Sequence, residues 1–110
     1  MEDQIGFKGY IRNEGYAVTR VTGSQESEIS PPAGKRFSWG AMSESSTTLA
    51  QSLTQNLFPD VSARDLAAPA EAIRRHFLTQ FHKHKGWELD RETICAYLDA
   101  RGLLPSATAG

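Results

Sequence analysis

The sequence predicts an α+β fold in two layers, a three- to four-stranded antiparallel sheet packed against about three helices. Three observations carry that expectation. Two alternating, β-branched and aromatic segments at the front are joined by a short turn signal. Apolar residues then recur at helical spacing through the second half. Strands come first and helices after, the order of a segregated rather than an alternating architecture.

The first strand is "IGFKGYI", with Ile5, Phe7, Gly9 and Ile11 on one face and Lys8, Tyr10 and Arg12 on the other. "RNEG" follows, where Asn13 and Gly15 both tolerate positive φ, and "YAVTRV" (Tyr16 to Val21) completes a hairpin. Gly23 to Gly34, polar and punctuated by Pro31-Pro32, reads as a mobile surface loop. "KRFSW" gives a third strand with Phe37 and Trp39 facing the same way. Leu49, Leu53 and Leu57 form the stripe of a first helix from about Ser46 to Phe58, which Pro59 stops.

Ser62 and Asp65 suggest a short capped turn, and Pro69 suits the first position of a second helix running to about His82. That helix would bury Ile73, Phe77 and Phe81 on one side. "GWEL" reads as a short fourth strand. The third helix opens at Asp90, buries Ile94 and Leu98, and closes at Gly102, with Leu89 placed to staple against Ile94.

A chain of 110 residues supports one domain, expected over residues 5–104, with residues 1–4 and 105–110 as polar tails. No apolar run approaches the length of a membrane span, and no secretory signal is visible. The single cysteine, Cys95, precludes an internal disulfide and fits a reducing, cytoplasmic setting.

The order of these features resembles a family of small uncharacterised bacterial, phage and plasmid proteins grouped as a domain of unknown function. The residues that carry the resemblance are Phe37-x-Trp39-Gly40, Leu49 and Leu53, then Trp87-x-Leu89 with Ile94 and Leu98, within Phe7 to Leu103. In the family pattern Trp-Gly leads into a glycine-rich turn and a proline; this chain has "AMSESS" (Ala41 to Ser46) there. The resemblance implies the fold and a mobile-element setting, and supplies no activity, cofactor or catalytic residue.

The net charge of −1 conceals an uneven distribution. Residues 1–73 carry a net −3 and residues 86–110 a net −2, whereas residues 74–85 hold Arg74, Arg75, Lys83 and Lys85 and no acid. All three histidines, His76, His82 and His84, fall in that window. On a continuous helix Arg75, His76, Thr79, His82 and Lys83 would share a cationic face able to meet an acidic protein or a phosphate. A solvated face near a helix C-terminus would carry the same charges.

Other chemistry finds less support. Ser43, Ser45, Ser46, Thr47 and Thr48 crowd the first helix start, where Glu44 opposes an incoming anion, so capping is the expected role. Phe37 and Trp39 are expected in the core rather than as a base-stacking platform. His82 and His84, two apart on a helix, would point away from one another and share no metal. Cys95 sits among apolar helix positions with no evident base, and no paired carboxylates form a nameable motif.

The expectation is therefore a non-enzymatic cytosolic module that binds another protein, with a mobile-element modulator or inhibitor of host machinery as a special case. Arg74, Arg75, His82, Lys83 and Lys85 are its candidate contacts, and the 23–34 loop a second one. A weak nucleic-acid binder using the same face with Tyr10 or Trp39 is the alternative. No cofactor and no metal is called for.

Overall fold

The computed structural model describes residues 5–12 and 15–105. The expected turn residues Asn13 and Glu14, and the expected tails other than Pro105, lie outside the described residues. β1 (Ile5–Arg12) pairs antiparallel with β2 (Gly15–Thr22) in the register Phe7 to Arg20 and Gly9 to Val18. β3 (Gln25–Ile29) pairs with β2, and β4 (Trp87–Asp90) pairs with β1, giving an antiparallel sheet of order β3-β2-β1-β4. Three helices, α1 (Glu44–Leu57), α2 (Ala63–His76) and α3 (Arg91–Ala100), complete the α+β fold. Among the described residues no helix is long and apolar enough to cross a membrane.

The strand alternation separates two faces. Phe7, Val18, Trp87 and Leu89 turn inward and join Leu49, Leu53, Leu66, Ile73, Ile94 and Leu98 of the helices in one core. The other face carries Lys8, Tyr10, Arg12, Thr19, Glu26, Glu28 and Glu88, and its charges satisfy each other. Lys8 meets Glu88 at 3.2 Å, Arg12 reaches Glu28 at 4.0 Å, and the Tyr10 hydroxyl and Thr19 Oγ1 both donate to Glu26. Those two hydroxyls, Tyr10 first, hold the Glu26 carboxyl below the usual range.

Four sequence expectations are corrected. The 23–34 segment is not loop throughout, because Gln25–Ile29 form the edge strand β3. Its side chains are nearly all exposed, so it shows none of the alternation that reveals a half-buried strand. "KRFSW" forms no strand: Phe37 and Trp39 are buried from an irregular segment that joins no sheet edge. Pro69 lies inside α2, which begins six residues earlier, at Ala63 behind the Ser62 cap. The proline ring is buried, and the carbonyl it leaves without a partner belongs to Asp65, an exposed residue open to water.

The fourth correction concerns the basic window. α2 ends at His76 instead of His82, and a single 3₁₀ turn, Leu78–Gln80, follows. Leu78 is fully buried and anchors that turn, while Thr79 Oγ1 takes up the Arg75 carbonyl at 2.7 Å. The chain must then reverse to deliver Trp87 to β1.

The remaining helix ends follow their sequence signals. Ser43 and Ser46 form a reciprocal capping box on α1, and Thr47 and Thr48 hydroxyls donate to the carbonyls of Ser43 and Glu44. Asp90 Oδ1 accepts from Thr93 N–H at 2.7 Å. Gly102, at φ +69°, closes α3 with Leu103 N–H donating to Leu98 O.

Gly9 is the closest approach in the core. A Cβ there would stand 2.2 Å from Trp87 Nε1, so the indole lies directly on the strand backbone. Gly9→Ala is expected to destabilise the fold by about 1–3 kcal/mol through overpacking. Urea denaturation followed by tryptophan fluorescence measures the difference.

Candidate functional site

The structure divides the predicted cationic set in two. Arg74 and Arg75 sit in the last turn of α2, and both converge on Glu71, one turn earlier. Arg74 binds both carboxylate oxygens through Nε and Nη2, and Arg75 Nε donates to Oε2 at 2.9 Å. The Arg74 side chain is 13% exposed, so most of it is packed away. Arg74 first, with Arg75 behind it, holds the Glu71 carboxyl below the usual range. The arginine pair therefore presents about one net charge rather than two. The neighbouring His76 stacks on Tyr97 at 3.9 Å between ring centres.

His82, Lys83, His84 and Lys85 form an exposed turn between the 3₁₀ segment and β4. Lys85 N–H donates to His82 O at 3.1 Å and His84 N–H to His82 Nδ1 at 3.1 Å. Among the described residues neither Lys83 nor Lys85 forms an ion pair. The shared helical face expected for Arg75, His76, Thr79, His82 and Lys83 does not exist, because the helix stops before three of them.

What holds the turn is the Phe37-Ser38-Trp39-Gly40 segment. Trp39, 1% exposed, donates Nε1–H to Lys85 O at 2.9 Å. Gly40 N–H donates to Leu78 O at 2.7 Å. Gly40 has φ +86°, and a Cβ on it would fall within 2.8 Å of the Lys83 backbone. Tyr16 and Trp87 meet Trp39 edge-on at 4.5 and 5.4 Å, and Phe81 stacks on Trp87 at 4.9 Å. The sequence offered Trp39 beside the basic face only as an exposed contact of the nucleic-acid alternative, and it did not reveal the buried tie to Lys85 or the part Gly40 plays. The one local signal was a glycine directly after a core tryptophan, which marks a close backbone approach without saying to what.

No family model, curated protein or solved structure matches this chain. The site must therefore be read from its own geometry. Base stacking on Trp39 is closed off by burial, and the Tyr10 hydroxyl is engaged by Glu26. The helical argument against a shared metal lapses, since His82 and His84 lie in a turn with ring centres 5.8 Å apart. Two adjacent ammonium groups and the engaged His82 Nδ1 oppose a cation there. Among the described residues no three metal-binding side chains come together.

At the opposite end of the sheet a cavity of about 360 Å³ is lined by Ile5, Lys8, Glu88, Asp90 and Thr93 among others. Its polar groups are committed: Lys8 to Glu88, and Asp90 to the start of α3. Cys95 is half-buried and does not line it.

Two outcomes test this division. Glu71's stabilising pairing is fully present above the ordinary carboxylate range, near pH 4.3, and is lost as pH falls through its lower folded value. Glu71→Gln is expected to cost about 0.5–1 kcal/mol at neutral pH, discounted for its partial exposure. The gap from the parent should narrow in denaturation curves taken from about pH 5 down to about pH 2. Gly40→Ala should release the turn, raising amide hydrogen exchange at Lys83 to Gly86 above that of the β1–β2 core.

Proposed function

We propose that this protein is a non-enzymatic interaction module whose cationic turn, His82 to Lys85, binds an acidic surface on another protein. The observation that carries the reading is the contrast between this turn, where two lysines sit close together without an acid, and the ion-paired cations of the outer sheet face and the end of α2. Lys8 and Arg12 on the outer sheet face, and Arg74 and Arg75 at the end of α2, are matched by carboxylates a few ångströms away. Lys83 and Lys85 are left without such partners on a backbone held by Trp39 and Gly40. A turn whose backbone is already held loses little backbone freedom on binding, and an unpaired charge is not spent internally.

A nucleic-acid ligand is less favoured by the same surface. Two lysines on one turn neutralise few phosphates, and the aromatic platform is missing at Trp39. The sequence resemblance adds a setting: a phage- or plasmid-borne modulator or inhibitor of host machinery, acting in the cytoplasm, where the lone Cys95 stays reduced.

The test is affinity capture from host lysate at low and at near-physiological salt. Lys83→Glu with Lys85→Glu is expected to lower recovery of a protein partner at least about tenfold, as two reversed charges at an interface do. Arg75→Glu should leave recovery nearly intact, since Arg75 already faces Glu71. Equal loss in both variants, or none in the double reversal, sinks the assignment to the turn. Recovery of nucleic acid that collapses between about 50 and 200 mM salt transfers the function to the other class.

A further inference from the structure

The cationic turn does not stand on a uniformly polar surface. Among the described residues three large apolar side chains are exposed, Ile11 at 44%, Met42 at 56% and Leu104 at 41%. An isolated one needs no explanation. Two of these three, Met42 and Ile11, are tied to the same turn through the close backbone approaches of Gly40 and Gly86.

Met42 is placed by Gly40. The Gly40 backbone touches that of Lys83, and Met42 follows two residues later, within about 7.6 Å of Gly40 by chain length. Its segment is fixed at both ends, by Gly40 N–H on Leu78 O and by Ser43 in the α1 capping box. Ile11 is placed by β4. Pairing of β1 with β4 ends at Gly9 and Trp87, and the next residue back, Gly86, packs against Gly9 O and Tyr10 Cα. Lys85 directly precedes Gly86 and Ile11 directly follows Tyr10, so the two residues extend from that contact by one chain step each.

We infer that Ile11, Lys83, Lys85 and Met42 form one docking surface for an acidic segment of a partner protein whose carboxylates are flanked by apolar side chains. The inference rests on the protein-binding reading above and specifies its partner. Charge complementarity selects the acid: the lysines lack carboxylate partners among the described residues, and the two histidines add no negative charge. The flanking apolar residues select against a purely acidic chain, because burying them releases water that a polyanion would leave in place. Methionine suits such a role, since its flexible thioether fits differently shaped partners.

The test uses two fluorescein-labelled peptides of equal length and charge, one repeating leucine and glutamate, the other serine and glutamate. Anisotropy titrations give their affinities for the parent protein. The leucine peptide should bind about tenfold more tightly, the gain expected from covering two half-exposed side chains. Ile11→Ser with Met42→Ser, both at the surface, should abolish that advantage while leaving the serine peptide unchanged. Equal affinity of the two peptides for the parent, or an advantage that survives the double serine variant, overturns the docking surface.

Lys83→Glu with Lys85→Glu should abolish binding of both peptides. If both bind that variant as well as the parent, the cationic turn itself is not the binding element and the broader reading fails. An oligothymidylate that outcompetes both peptides likewise overturns the proposal in favour of nucleic acid. Circular dichroism and unfolding midpoints of each variant confirm that the fold is retained.

Discussion

The seating of Trp87 on Gly9 is the contact on which the rest of the structure depends. A strand residue without a side chain lets the indole lie flat on the sheet, and nothing larger would fit. The arrangement leaves Trp87 Nε1 buried without an acceptor, a desolvation cost offset by the area two tryptophans and Phe81 bury against each other. Because Trp87 also begins β4, the same contact fixes the register of β4 on β1. It therefore determines where the preceding residues, the cationic turn, must run.

Trp39 extends that constraint from the sheet to the turn. Its ring meets Tyr16 of β2 and Trp87 of β4, and its one polar atom reaches the Lys85 carbonyl. A single side chain thus ties the hairpin, the last strand and the charged turn together. Gly40 continues the tie through its own backbone, and its positive φ is what lets the chain leave that junction toward α1. The hydroxyl-rich stretch beyond it serves α1: its oxygens close the first turn of that helix. The residues that give the fold its rigidity and the residues that present charge are therefore neighbours across the sequence separation of 46 between Trp39 and Lys85.

Elements that carry their own signals were legible in the sequence. The hairpin alternates, α1 has its leucine stripe, and α3 has an aspartate at one end and a glycine at the other. Elements defined by what they pack against were not. β3 is polar on both faces, so only its hydrogen bonds to β2 reveal it. Phe37 and Trp39 alternate as a strand would, yet alternation describes any extended chain and does not supply a pairing edge. The stretch after His76 contains no helix breaker before Gly86, and composition alone continues the helix. Burial of Leu78 and the demand that Trp87 reach Gly9 override that local preference. The pairing of Glu71 with Arg74 and Arg75 was readable at i+3 and i+4 spacing, and it offsets one of the four positive charges the sequence suggested were free.

A net charge near zero hides how differently the cations of this chain are used. Lys8 and Arg12 lie on a flat sheet face where strand spacing brings carboxylates opposite them. Arg74 and Arg75 lie on a helix, where one turn brings Glu71 within reach. Both regular elements place a side chain at a set distance from its neighbour, so oppositely charged residues at the right interval find each other. A four-residue turn between buried anchors has no such repeat. Its side chains point where the anchors leave them, and here neither lysine meets an acid among the described residues. Residues 72–87 hold no aspartate or glutamate, and the turn lies within that acid-free stretch, so no local partner neutralises Lys83 and Lys85.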